Sequence, residues 1–258
     1  MPKAAIVYFS GTGNTKFIAK NLKLELENNN INVDLINVEH DTIMPKQYDY
    51  ILIGGPIYAE RYTDLLLNYI DKNLKDYSGK CMLFATQVID RSPAAFQHAI
   101  NKFKFLNVSY CEYFTMPNNF YNFLLFKKTT EEEAKIAINE SLKRCKRSIR
   151  YFIRGSEKRY YKNKPYIKMI DITYKAFYKY YMKYLWNKVT IDTDKCINCK
   201  LCEKSCPTKA ISKENGVSVN NKCLLCQRCI NNCPTEAFVY KDTPCTQYKP
   251  DFMKDKKK

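Results

Sequence analysis

At 258 residues and 30.4 kDa the chain is longer than one hydrophobic core usually fills, which favours two domains. With 45% hydrophobic and 27% charged residues its composition is globular, which excludes wholesale disorder, and no apolar run reaches the ~18 residues of a transmembrane helix. Lys and Arg total 43 against 26 Asp and Glu, a net charge of +17 that suits an anionic partner. Lys, Asn, Ile and Tyr are abundant throughout the chain, however, and a general composition bias accounts for part of that excess. The segment MPKAAIVYFS enters a strand pattern without the apolar stretch and cleavage site of a signal peptide, so a cytoplasmic location is expected.

Residues 3–9 (KAAIVYF) form an apolar run, followed by SGTGNT and then by apolar positions at helical spacing: strand, turn, helix. Strands are predicted at 31–38 and 50–54, a helix at about 63–75 and a strand at 80–86. A helix at about 93–104 follows, with Ser92 as N-cap and Pro93 at its first position, and then a strand at 106–115. Five strands alternating with helices imply an α/β fold, a parallel sheet covered on both faces. Thr130 and Glu133 form a capping box that opens the next helix. Ile138, Leu142, Cys145, Ile149 and Phe152 then fall on one buried stripe, and Gly155 is the predicted C-terminal cap. The first domain is accordingly placed at 1–155.

Residues 156–188 form a basic, aromatic helical connector. From Ser141 to Lys188 there are fifteen Lys and Arg against two acidic residues, Glu157 and Asp171. A helix from Pro165 to Lys188 would gather Tyr166, Met169, Ile170, Tyr174, Phe177, Tyr178, Tyr181 and Tyr184 on one face. Lys168, Lys175, Lys179 and Lys183 would lie on the other. Burying such a stripe against the rest of the chain makes the helix a strut, and contact with a membrane surface is the lesser reading. A third segment, 189–245, carries an internal repeat, and a basic tail, 246–258, ends in a KDKKK run expected to be disordered.

The repeat holds the strongest chemical signal. Eight of the twelve cysteines lie between Cys196 and Cys233, in CINCKLCEKSCP (196–207) and CLLCQRCINNCP (223–234). The flanks match too: Lys195 with Lys222, Thr208 with Thr235, Ala210 with Ala237. In a reducing compartment such a density of thiols points to metal or cluster ligands. Each half reads C-x2-C-x2-C-x3-C-P, in which three closely spaced thiolates wrap one face of a cubane. Zinc is the competing reading, but zinc ribbons use two thiolate pairs rather than a triad and a displaced fourth Cys. Residues 189–245 resemble bacterial two-[4Fe–4S] ferredoxins over their whole length. That resemblance assigns Cys196, Cys199, Cys202 and Cys233 to one cluster, and Cys206, Cys223, Cys226 and Cys229 to the other. Cys81, Cys111 and Cys145 are expected in the core, and Cys245 is at most a spare ligand.

Glycine is scarce, and four of the seven residues sit in two short loops. The first, Ser10, Gly11, Thr12, Gly13, Asn14 and Thr15, opens a helix directly after the first strand, where backbone N–H groups receive phosphate. It is neither a Rossmann G-x-G-x-x-G nor a P-loop, since Lys16 stands where a third Gly would be and no G-K-[ST] follows. A loop of neutral donors suits a phosphomonoester. The loop resembles the FMN phosphate loop of flavodoxins, and that resemblance implies a five-stranded sheet of order 2-1-3-4-5. The second loop, GGPIYAERY (54–62), then lies at the crevice where FMN binds. Gly54 and Gly55 would admit the flavin, with Pro56, Tyr58 and Thr86 as further contacts and Tyr62 as an alternative stacking ring. MPNNF (116–120) resembles a segment of proteins that fuse a flavodoxin-like domain to a two-cluster ferredoxin.

His40 and His98 have no recognisable catalytic partner nearby, and a second dinucleotide fingerprint is absent. The resemblance therefore implies an electron-transfer protein, with FMN and two [4Fe–4S] clusters exchanging electrons with low-potential redox partner proteins in an anaerobic setting. The alternative is an FMN-dependent reductase of a quinone or nitroaromatic, fed by the clusters. Nucleic acid is not expected as a partner, and oligomeric state is not readable from the sequence.

Overall fold

The computed structural model describes residues 1–91, 93–123, 127–160, 164–186, 188–212 and 218–253. The chain divides into two compact units: residues 1–117 with 129–174, and residues 118–128 with 175–258.

The first unit is built on β1 (Lys3–Tyr8), β2 (Asn32–Asn37), β3 (Tyr50–Tyr58), β5 (Lys80–Gln87) and β6 (Asn107–Thr115), with a two-residue strand β4 (Arg61–Tyr62) folded back on β3. The five long strands are parallel in the order β2-β1-β3-β5-β6, which is the expected 2-1-3-4-5 once β4 is set aside. The order reverses between β1 and β3. Right-handed crossovers on either side of that point place α1 (Asn14–Glu27) on the face opposite α2 (Asp64–Asn73) and α3 (Ala95–Lys102). A further helix, α4 (Glu131–Ile153), packs against α1 and β6. The sheet interior is aliphatic and aromatic, with Ile6, Ile18, Leu22, Leu52, Phe84, Phe96 and Phe114 fully buried.

Helix ends follow the sequence where the signal is local. The Glu133 N–H donates to Thr130 Oγ1 at 3.2 Å, and the Thr130 N–H donates to Glu133 Oε2 at 2.8 Å, a reciprocal capping box. At the far end of α4, Gly155 is left-handed (φ 81). Its N–H donates to the Phe152 carbonyl and that of Ser156 to the Tyr151 carbonyl, a Schellman closure. The start of α3 differs from expectation. It begins at Ala95 after Ala94, and the Ala94 N–H donates to Glu60 Oε2 at 3.0 Å. A carboxylate from the β3–β4 turn thus caps the helix from a distance; Ser92 lies outside the described residues.

Beyond α4 the chain covers the edge of β6, where the Lys158 N–H donates to Ser109 and its carbonyl accepts from Cys111. Lys158 Nζ pairs with Glu112 Oε2 at 2.8 Å, and Glu112 is fully buried. The connector is less regular than a single helix. It comprises α5 (Lys164–Ala176), a π-helical stretch Phe177–Met182 and α6 (Lys183–Trp186). Ile167, Ile170 and Tyr174 are its buried residues on the first unit, whereas Met169 and Tyr184, expected on the same face, are half exposed. The π turn changes the phase of the stripe for Tyr184, which follows it; Met169 precedes it, within α5. The side chains of Tyr178, Lys179 and Lys183, and the final residues 254–258, lie outside the described residues.

The second unit contains the antiparallel sheet β7 (Val189–Ile191), β10 (Phe238–Tyr240) and β11 (Thr243–Pro244), a hairpin of β8 (Ile211–Ser212) and β9 (Ser218–Val219), and two short helices, α7 (Leu201–Lys204) and α8 (Arg228–Asn231). Leu185, Ile211, Leu225, Ile230, Phe238 and Tyr240 form its core. Residues 118–128, which sequence reading leaves within the first domain, join this unit because Phe120 packs on that core and Asn122 bonds to Thr246.

Candidate cofactor sites

The strand register brings the ends of β1, β3, β5 and β6 to one edge of the sheet: Tyr8 lies beside Gly54, Pro56 beside Thr86, and Thr86 beside Phe114. The β1–α1 loop sits at that edge. Gly13 is the N-cap of α1 with φ 112, a value that L side chains avoid, and no side chain caps the helix. The first turn carries no acidic residue, so nothing there opposes an anion at the helix N-terminus. Ser10 Oγ accepts from the Lys16 N–H at 3.2 Å, closing the loop on itself. Asn14 Nδ2 donates to the Pro117 carbonyl at 3.1 Å, anchoring the loop to the exit of β6. The Thr15 and Thr86 hydroxyls share a hydrogen bond of 2.7 Å, so a predicted contact in the first turn of α1 meets one at the end of β5. Ser10, Asn14, Thr15 and Thr86 are buried; Gly11, Thr12 and Gly13 are half-buried.

The glycine pair at the end of β3 has another origin. A Cβ on Gly54 would lie 2.4 Å from the Phe84 ring, and one on Gly55 would lie 3.0 Å from Leu66. Both glycines make room for neighbouring core side chains. Tyr62 is likewise a core residue: it is fully buried and its hydroxyl donates to the Phe84 carbonyl at 2.9 Å. Burial pushes its pKa well above the ordinary tyrosine value. Pro56 and Tyr58 remain half-buried at the strand end, ahead of a tight turn in which Ala59 and Glu60 are left-handed, φ 46 and 66.

In the second unit the eight repeat cysteines line two separate cavities. One is lined by Cys196, Cys199, Cys202 and Cys233; the other by Cys206, Cys223, Cys226 and Cys229. Each is lined by three thiols from one repeat and the fourth from the other. A lone zinc needs its sulfurs about 2.3 Å from one point. Among the described residues no three Cys, His or acidic side chains stand close enough to hold a single metal ion.

The repeat extends to the backbone. Asn198, Lys200 and Lys209 are left-handed, φ 53, 57 and 52; their counterparts Leu225, Gln227 and Glu236 have φ 51, 57 and 51. Three such residues in each half curl the chain around a centre and turn amides toward it. The Ala210 N–H donates to Cys206 Sγ at 3.2 Å and the Ala237 N–H to Cys233 Sγ at 3.4 Å. Thr208 and Thr235 hydroxyls lie 3.7 Å from the same sulfurs. The matching flanks of the repeat thus have a shared task, placing donors on each fourth thiol. Such donors favour the thiolate and help set a cluster's potential. The remaining cysteines, Cys81, Cys111, Cys145 and Cys245, are buried, and burial raises all four thiol pKa values, that of Cys111 to about 12 and that of Cys245 to about 11. They are inert core thiols.

Comparison with protein families places these sites in context. A family described as flavodoxin domain matches residues 5–134. The chain belongs to the flavodoxin-domain family. Beyond its flavodoxin domain, two 4Fe-4S binding domain families match residues 189–212 and 220–239. Comparison with curated proteins gives no match. Among solved structures the chain is similar to a flavodoxin from the domain Archaea (16% identity, 57% of this chain and 99% of that one, TM-score 0.39). It is also similar to oxidised flavodoxin 1 from Bacillus cereus (15%, 59% and 97%, TM-score 0.42). Two-electron reduced flavodoxin of Megasphaera elsdenii is a further similar structure (20%, 54% and 98%, TM-score 0.39). The flavodoxin domain implies FMN and the two 4Fe-4S domains imply two [4Fe–4S] clusters, so this flavoprotein is an electron-transfer protein. Among the described residues no helix is long and apolar enough to cross a membrane.

Proposed function

We propose that the protein relays electrons between FMN in residues 1–155 and two clusters in residues 189–245, and onward to low-potential redox partner proteins. The observation that carries this reading is the pair of crossed four-thiol cavities in a chain whose first helix opens at Gly13 with no side-chain cap and no acidic residue in its first turn. Ser10, Gly11, Thr12, Gly13, Asn14 and Thr15 receive the FMN phosphate on hydroxyls and amides, and Thr86 orients Thr15 through their shared hydrogen bond. Gly55, Pro56 and Tyr58 border the isoalloxazine, with Tyr58 as the ring contact. Cys196, Cys199, Cys202 and Cys233 hold one cluster; Cys206, Cys223, Cys226 and Cys229 hold the other. FMN accepts or donates one or two electrons, whereas each cluster handles one, so the chain matches two-electron to one-electron chemistry.

Anaerobically purified protein is expected to contain one FMN and about eight iron atoms, given two four-iron clusters. Metal analysis and the flavin spectrum check this; about four iron atoms, or flavin lost on gel filtration, would refute it.

A further inference from the structure

The hairpin of β3 and β4 turns on residues ill suited to its backbone. Tyr58 pairs with Arg61 across a two-residue loop, Ala59 and Glu60, whose φ values of 46 and 66 are both left-handed. Such turns ordinarily take Asn-Gly or Gly-Gly, because a Cβ at positive φ is crowded. A strained pair of this kind persists only where its surroundings hold it, and such pairs gather at ligand clamps.

What holds this one is the Glu60 side chain, which is only 14% exposed. Its Oε2 accepts from the Ala94 N–H at 3.0 Å, and its Oε1 pairs with the Arg91 guanidinium. Both partners belong to the loop between β5 and α3. That loop is braced from within, since Gln87 Nε2 donates to the Ile89 and Arg91 carbonyls. It is braced from behind as well, where Asp90 Oδ1 accepts from Arg144 at 3.2 Å and from Thr115 Oγ1 at 3.3 Å. Glu60 therefore fastens the tip of the hairpin to a fixed frame, and every one of these contacts lies within the first unit. The two loops leave the same edge of the sheet, where Pro56 lies beside Thr86. Tyr58, half-buried, directly precedes the strained pair.

We infer that Glu60 is a positioning residue of the flavin site: it latches the β3–β4 turn to the β5–α3 loop and so fixes Tyr58 as a stacking face for the isoalloxazine. The inference rests on the FMN reading above. A turn held in place before the ligand arrives spares the cost of ordering it on binding. The latch serves the ring, whereas residues 10–15 serve the phosphate, so its loss weakens flavins with and without a phosphate alike.

The test uses the full-length protein, freed of flavin by anaerobic dialysis and titrated with FMN and with riboflavin by fluorescence. Glu60→Gly decides, because glycine takes φ 66 without strain and keeps the turn while removing the carboxylate. It is expected to raise both Kd values at least tenfold, by factors that agree within about twofold, as loss of hydrogen bonds to a charged group implies. In the Tyr58→Ala background the same change is expected to add less than about twofold, since the latch acts through Tyr58. Wild-type affinities in Glu60→Gly, a loss confined to FMN, or independent effects in the double variant would each overturn the assignment. A lowered melting temperature with both affinities kept would do so too, leaving Glu60 as a cap of α3 alone. Should Glu60→Gly not fold, Arg91→Ala, which leaves the Ala94 bond in place, decides: both flavins are expected to bind about threefold more weakly, and unchanged binding overturns the latch. Wild-type protein that binds neither flavin would instead defeat the underlying reading.

Discussion

Thr15 is the residue on which the phosphate loop turns. It is buried, and its hydroxyl is tied to Thr86 at 2.7 Å, so its rotamer is set before any ligand arrives. Thr15→Val is expected to weaken FMN binding by about 1–3 kcal/mol, the loss of one donor to a charged acceptor. Fluorescence titration with FMN and with riboflavin measures it; equal affinity for the two flavins in the wild type would exclude phosphate recognition by this loop. Lys158 supports the sheet in a different way. Burial lowers its pKa, but the hydrogen bonds to Glu112 and Tyr160 and the charge of those groups together outweigh burial and hold the pKa above the ordinary lysine value. A raised folded-state pKa stabilises the fold fully below the unfolded value and loses that contribution as pH rises through the folded one. Lys158 therefore sustains the fold across neutral pH, with its share fading only in strong alkali. Lys158→Met would strand the fully buried Glu112 and is expected to cost about 3 kcal/mol in urea unfolding.

At the scale of elements, α5 shows how a basic helix is retained by the first unit. Ile167 and Ile170 pack on Ala94, and the Arg61 guanidinium lies 4.2 Å over the Tyr174 ring. Arg61 is itself buried and reaches Asp64 at 3.6 Å. Ile170→Asp is expected to lower the melting temperature by several degrees, since it places a charge among buried apolar groups. Were α5 a segment that rests on lipid, the melting point would hold and wild-type protein would sediment with anionic vesicles. The glycine pair of β3 makes a parallel point about strands. With the Phe84 ring 2.4 Å from an added Cβ, Gly54→Ala is expected to destabilise the fold by ~1–3 kcal/mol through overpacking.

For the molecule as a whole, joining FMN and clusters in one chain makes their exchange unimolecular. The rate of flavin–cluster equilibration is expected to be independent of protein concentration, whereas exchange with an external carrier is second-order. With a net charge of +17, the latter should fall steeply as salt rises while the former stays level. Stopped-flow traces over a range of protein and salt concentrations separate the two.

The cysteine repeat, the SGTGNT loop and the capping box at Thr130 were legible in the sequence because each depends on residues close together or on a repeated spacing, whereas the strand order came only from the resemblance to flavodoxins. A cluster motif must keep its thiols in register, and a Schellman cap needs its glycine one residue beyond the helix, so local order carries the information. Glu60 capping α3, Tyr62 reaching the Phe84 carbonyl and Lys158 pairing with Glu112 were not legible, since their partners stand 22 to 46 residues apart. The sequence likewise misplaced Tyr184 on the apolar face of the connector, because the π turn ahead of it changes the phase and periodicity counting assumes a constant one. Gly54 and Gly55 stood out in the sequence by their scarcity and their place at the third strand's end, and the packed Phe84 and Leu66 side chains add a steric reason for them. Likewise Gln227 and Lys200 occupy equivalent places in a sequence repeat. What separates them is a segment 105 residues away that bonds to one and not to the other, a choice made by tertiary contacts rather than by spacing.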